Sequence, residues 1–186
     1  KENVFYFRGS LPNKINRWFH CFQEYNLDAA MLVDADDPSF SYSVLARALR
    51  QLNKEKTDLI KCDDTMMPGL ITYGISKNGI HKLYNEAKEK ELDTDVIEVF
   101  IDKANLKTSV IKPNDGEELV PKIRLTIDYE EDITFYRALF REISYEAEST
   151  EHIKKIIELE ISKINWFRNS NFKQNQNKFN KKIRGE

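Results

Sequence analysis

Cysteine is the first thing missing. Two of them, Cys21 and Cys62, in 186 residues cannot build a disulfide framework or a zinc site, and they fit a reducing compartment. Long apolar runs are missing too. Nothing approaches the roughly 20 residues needed to span a bilayer, and no signal-peptide pattern is visible. Neither sign of charge prevails: 29 Lys and Arg stand against 31 Asp and Glu, so no global field favours nucleic acid or an anionic membrane. Glycine is scarce, and the six, at 9, 69, 74, 79, 116 and 185, form no glycine-rich loop. The histidines, His20, His81 and His152, are dispersed and suggest no metal or catalytic grouping. What is left, 40% hydrophobic and 32% charged, is a folded domain able to bury a core. A soluble cytoplasmic protein is the expectation.

Along the chain, helical and extended patterns alternate. Residues 12–25 place Ile15, Trp18, Phe19, Phe22 and Tyr25 at helical spacing. The continuously apolar "DAAMLVDA" reads as a short strand buried on both faces. Residues 38–52 read as a helix with Asp37 as N-cap and Pro38 opening it. "TDLIKC" and "GLITYGIS" are the next strands, and "KNGIHKLYNEAKEKE" is a surface helix with Ile80, Leu83, Tyr84 and Ala87 inward. "DVIEVFID", "KTSVIKP" and "KIRLTID" are strand candidates. Residues 129–143 predict a helix with Ile133, Tyr136, Phe140 and Ile143 inward. A last helix spans about 150–167 on Ile153, Ile156, Ile157, Ile161 and Ile164, capped by Ser149 or Thr150. Residues 169–186 are a polar, basic, Asn-rich tail after a domain of residues 1–168. The alternation argues for an α/β fold with a mainly parallel sheet, whose binding crevice lies beyond the carboxyl ends of its strands.

Two of those strand ends are tipped with acid, "AMLVDADDP" and "RLTIDYEED". If they are neighbours, Asp36 and Asp128 converge and could hold Mg²⁺, which takes a few hard oxygens plus substrate phosphates. The plainer alternative is capping: Asp37 suits an N-cap, and Asp128 with Glu131 three residues on imitates a capping box. Asp34 is an extra ligand or a solvated strand end. Pro68-Gly69 is a turn signal, and Gly69 also permits close approach of backbone to a ligand. Cys62 reads as a small core residue ending a strand. The tail carries Lys173, Lys178, Lys181, Lys182 and Arg184 against Glu186, with Phe172 and Phe179 interleaved, a faint nucleic-acid signature.

Taken together, "VFYFRGSLPNKINRWFHCF", "AAMLVDADDP", "PGLITYGIS", "IRLTIDYEEDITFYRALFREI" and "INWFRNSNFKQNQNKF" resemble the cytidylyltransferase superfamily. The likeness is to the CMP-ketodeoxyoctonate and CMP-acylneuraminate synthetases, and most of all to the branch serving spore-coat and surface polysaccharides. The resemblance implies a Rossmann-like three-layer α/β sandwich of the nucleotide-diphospho-sugar transferase type. It implies transfer of a nucleotide from CTP to a sugar or sugar phosphate, with Mg²⁺ and release of pyrophosphate. By position, Asp36 and Asp128 match the family's metal-binding aspartates, while Arg17 and Gly69 match recurrent positions assigned loosely to the nucleotide or sugar pocket. Ala35 replaces the usual glycine before the metal aspartate, and Glu130 stands where proline is frequent.

The family's first strand and its Arg/Gly-rich phosphate loop have no counterpart in the sequence, which begins at Lys1 in mid-pattern. The expectation is therefore an incomplete fragment of a sugar nucleotidyltransferase, with little activity alone. The rival reading is a non-catalytic binding or assembly module that keeps the fold while its acids merely cap helices. Neither reading calls for nucleic acid or a membrane as partner. The oligomeric state stays open, a homodimer included.

Overall fold

In the computed structural model, which describes residues 4–89, 91–94 and 97–184, four short strands carry the architecture. They are β1 (Ala29–Leu32), β2 (Leu59–Cys62), β3 (Tyr73–Ser76) and β4 (Thr108–Ile111), in the order β1-β3-β2-β4. β3 runs antiparallel to β1 and β2, and β4 runs parallel to β2. Three strands therefore point one way, and a reversed β3 sits between two of them. The sheet is mixed, and its three codirectional carboxyl ends lie along one border.

Side chains alternate across the sheet and build a layer on each face. On one face, Leu59 and Ile75 meet Ile15, Phe19 and Phe22 of α1 (Lys14–Glu24), Ile80 and Leu83 of α3 (Lys77–Glu86) and Phe100 of α4 (Ile97–Lys103). On the other, Ile60 and Ile111 meet Val44, Ala48 and Leu52 of α2 (Tyr42–Glu55), Phe135 and Leu139 of α5 (Glu130–Glu142), and Ile153 and Ile156 of α6 (Ser149–Glu158). Helix starts are fixed by side chains that accept orphan N–H groups. Asn13 accepts from Asn16, Ser41 from Val44 and Ser76 from Gly79. Ser76 also ends β3, so strand and helix share one residue with no loop between. Among the described residues no helix is long and apolar enough to cross a membrane.

The structure departs from the sequence reading in several places. β1 is an edge strand, half-buried throughout, because only β3 flanks it in the sheet. α2 starts at Tyr42 rather than at Pro38. Ser41, anchored by its N–H to the Leu70 carbonyl at 2.9 Å, takes the cap that Asp37 was expected to provide. The described part of "DVIEVFID", from residue 97, is helix α4, because Ile97 and Phe100 bury at helical spacing; residues 95 and 96 lie outside the described residues. "KIRLTID" forms no strand, since its backbone bonds to a loop and a tyrosine instead of a ladder. On α5 the inward residues are Asp132, Phe135, Tyr136 and Leu139, while Ile133 is exposed. α6 is capped at Glu148 and ends by Leu159, because Glu160 turns left-handed at φ 52°. Two 3₁₀ turns follow, Ile161–Ile164 and Trp166–Arg168, with Ile157 outside the core. The polar tail is helical: α7 (Asn169–Arg184).

Candidate functional site

β1 ends at Leu32, and the chain turns almost at once. The Asp37 N–H closes on the Asp34 carbonyl at 3.1 Å, so residues 34–37 are a tight turn rather than an extended strand end. Thr72, just before β3, pins Asp34 twice: its hydroxyl accepts from the Asp34 N–H at 3.1 Å and donates to the carboxylate at 3.3 Å. The loop at 123–128 comes alongside, with the Ile127 N–H donating to the Asp36 carbonyl at 2.8 Å. Tyr136 of α5 steadies that loop through its hydroxyl, which donates to the Leu125 carbonyl at 2.7 Å.

Gly69 completes the corner. Its φ of +90° suits glycine, and a Cβ there would lie 3.1 Å from the Leu125 carbonyl oxygen and 3.4 Å from Asp37 Oδ1. Arg17, by contrast, belongs to α1 in the other layer. Its guanidinium donates to the carbonyls of Ser10 and Leu11 at 2.7 and 3.3 Å. The structure thus gathers Asp36, Asp128 and Gly69 and leaves Arg17 holding a loop.

Four aspartates share one field here. Asp37 has its carboxyl pushed up to about 7, first by burial and then by Asp36 and Asp34; the Thr126 hydroxyl opposes the shift and Asp128 adds to it. Asp128 is also raised, by burial foremost, with Asp132 and Asp36 pushing the same way and Arg124 and Thr126 against. Asp36 is exposed on the turn. Negative charge is therefore concentrated at the carboxyl end of β1, along the border where open α/β sheets bind ligands.

The shift at Asp37 has a testable sign. Its carboxyl titrates near 3.9 in an unfolded chain and near 7 when folded. Between those values the folded state holds the extra proton, so the stability Asp37 contributes is complete below the lower one and is lost as pH rises to the upper. The Asp37→Asn protein is expected to gain stability over its parent as pH rises from about 4 to about 7, with the difference level above that, read by thermal melts. A difference that does not grow with pH overturns this reading of the turn.

Behind Asp128 lies a buried ionic hub that the sequence did not announce. Arg124, 6% exposed, bonds Asp128 through one Nη and Asp132 Oδ1 through the other, the latter at 2.5 Å. Asp132 is fully buried and also accepts from Asn165 Nδ2 at 2.9 Å and from the N–H groups of Asp128 and Tyr129 at 2.9 and 2.8 Å. Burial works against its charge, but these bonds outweigh it and hold the carboxyl below its ordinary range. The capping pair at α5 is consequently Tyr129 with Asp132, one residue later than the Asp128/Glu131 pair the sequence suggests. Thr126, Arg124, Asp132 and Asn165 lie in segments that carry the family resemblance, but nothing in their spacing gave them a role; their convergence in space does.

A cleft of about 590 Å³ opens beside the corner, lined by Lys61, Asp64, Thr72, Tyr73, Glu98 and Val110, among others. The Tyr73 hydroxyl donates to Glu98 at 2.5 Å. Cys62 sits there with its thiol pushed up to about 11 by burial, with Glu117 contributing, which makes it a packing residue rather than a nucleophile. Among the described residues no three His, Cys, Asp or Glu side chains group closely enough to hold a metal by themselves.

No protein-family model matches the sequence, and no curated protein matches it. The fold does have a solved counterpart. A cytidylyltransferase from Leptospira borgpetersenii serovar Hardjo-bovis (strain JB197) superposes with a TM-score of 0.72 over 86% of this chain and 68% of that one, at 20% identity. The architecture is cytidylyltransferase-like.

Proposed function

We propose that this chain is built for nucleotidyl transfer, with Asp36 and Asp128 as the carboxylates that hold Mg²⁺ against the phosphates of a nucleoside triphosphate. The observation carrying this is the hydrogen bond that joins the two acid-tipped segments, Ile127 N–H to the Asp36 carbonyl, on a cytidylyltransferase-like fold. Burial raises the Asp37 and Asp128 carboxyls most, and the neighbouring aspartates add to it; hard carboxylate oxygens gathered at one corner are the donor set Mg²⁺ takes. Bound there, Mg²⁺ would offset the charge that develops on the phosphates.

The chain's own groups do the rest by position. Asp36 and Asp128 would hold the cation that orients a triphosphate, and the tight turn and Gly69 place backbone at the same corner. The reaction is attack of a sugar hydroxyl or phosphate oxygen on the α-phosphorus, with pyrophosphate leaving, and it needs no protein nucleophile. The sequence resemblance argues for CTP as donor and a surface-polysaccharide sugar as acceptor. The adjoining cleft, lined by Thr72, Tyr73 and carboxylates, offers a polyhydroxyl acceptor both donors and acceptors.

One observation favours a purely structural role for Asp128: its carboxylate is already paired with Arg124. Calorimetry with CTP, with and without Mg²⁺, separates the readings. Expected is binding that weakens at least about tenfold without the metal, and that loses its metal dependence in Asp36→Asn and Asp128→Asn. CTP binding indifferent to Mg²⁺, or unchanged in both variants, ends the proposal.

A further inference from the structure

The helix α7 looks dispensable by composition, with no acid in its 16 residues. Beyond its first turn Lys173, Gln174, Asn175, Asn177, Lys178 and Lys181 are exposed. Its start is not dispensable. The Phe172 ring lies 5.2 Å from the Arg124 guanidinium carbon, on which the Tyr129 ring also closes, at 5.1 Å. Arg124 Nε points to Asn169 Oδ1 at 3.4 Å. Tyr129 is itself held by α7, its hydroxyl accepting from Asn175 Nδ2 at 3.2 Å, and Arg168 stands over its ring at 5.2 Å.

Each nitrogen of the guanidinium is therefore assigned: Nε to Asn169, one Nη to Asp132 and the other to Asp128. Asp132 cannot move, being fully buried and bonded on both oxygens. Asp128 can: its side chain is 29% exposed at the edge of the acid corner. One guanidinium shared by two carboxylates fixes Asp128 in place and leaves the pair with net negative charge for a cation.

We propose that α7 is part of the acid corner: Phe172 and Asn169 lock Arg124, and Arg124 sets the position of the Asp128 carboxylate beside Asp36. Arg124, Phe172 and Asn169 are positioning residues, and the inference rests on the reading of Asp36 and Asp128 as the metal-holding pair. Groups that orient a metal ligand from behind are worth roughly 10- to 100-fold in affinity. The face of an aromatic ring attracts a guanidinium in a way an aliphatic side chain of similar bulk does not. The two roles of Phe172, packing and cation–π contact, can thus be pulled apart.

The test compares the full chain with Phe172→Leu, Phe172→Trp and Asn169→Ala, using MgCl₂ as the probe. Two NMR readouts are taken: the response of the Asp128 carboxyl carbon to Mg²⁺, and the separation of the Arg124 Nη proton signals that reports a locked guanidinium. Phe172→Leu is expected to weaken Mg²⁺ affinity roughly tenfold and to merge the Arg124 signals; Phe172→Trp restores both, and Asn169→Ala lies between. Leucine behaving as the parent in both readouts, or tryptophan failing to restore them, overturns the proposal. If the parent chain shows no response to Mg²⁺, the metal reading falls, and the Arg124 signals alone decide whether α7 locks the arginine.

Discussion

The Asp132→Asn protein is expected to lose about 3–5 kcal/mol of unfolding free energy. The amide keeps the shape of the carboxylate but removes its charge and exchanges one acceptor oxygen for a donor. That leaves Arg124, 6% exposed, facing a neutral partner on one side and the more exposed Asp128 on the other. The amide nitrogen would also face N–H donors, from Asp128 and Tyr129 if it takes the place of Oδ2, or from Arg124 and Asn165 if it takes that of Oδ1. Either placement sets donor against donor in the interior. Urea titration reads the loss as a lower midpoint at an unchanged slope.

The pH dependence of that loss follows from the depressed carboxyl of Asp132. A carboxyl held below its unfolded value near 3.9 contributes stability that is present above that value and vanishes as pH falls through the folded one. The parent and Asp132→Asn should therefore converge in acid. A deficit under about 1 kcal/mol at neutral pH would place the pair among the inconsequential ones. The exposed Lys163–Glu160 pair is the internal control, since breaking it is expected to move stability by no more than about 0.5 kcal/mol.

The second large effect runs against helix propensity. Alanine is better than glycine in a helix by about 1 kcal/mol, and Gly79 lies in the first turn of α3, so propensity alone expects Gly79→Ala to stabilise. The structure reverses the sign. A Cβ on Gly79 would lie 2.2 Å from the Asp58 carbonyl oxygen and 2.9 Å from its carbon, backbone atoms that cannot swing aside. That same carbonyl accepts the Ser76 N–H at 3.0 Å, so pushing it away strains the junction of β3 with α3. The expected cost is at least about 3 kcal/mol, at the upper end for overpacking, or a drop of roughly 6–12 °C in melting temperature. A melt at or above the parent's would show that α3 shifts without penalty.

How far the sequence reaches depends on whether a residue's role is local. α1, α3 and strands β2, β3 and β4 were legible, because apolar period and caps decide them within a few residues. The α/β class was legible from their alternation. Asp36 and Asp128 were marked by standing after apolar runs, and their segments do meet. Ile133 was misplaced because the face of α5 follows the buried Asp132, whose partner Arg124 lies eight residues back in a loop. "RLTI" reads as a strand by composition, yet Tyr136 and Asp36 capture its backbone before any ladder can. Asp37 was given a helix to cap, and Ser41 took that work instead. For α5 and "RLTI" the deciding partners lie eight or more residues away, and Ser41, which caps through the nearby Val44, is itself anchored by the distant Leu70 carbonyl; periodicity is blind to such partners.

Ser76, the last residue of β3 and the cap of α3, leaves no joint between the two. Loops ordinarily absorb displacement; here there is none to absorb it. A tug at Thr72, which grips Asp34 at one end of this strand, travels along roughly 13 Å of extended chain and arrives at the first turn of a helix packed on α1. The acid corner and the opposite layer are joined by a rod rather than a tether, four residues of strand with no loop between it and the helix.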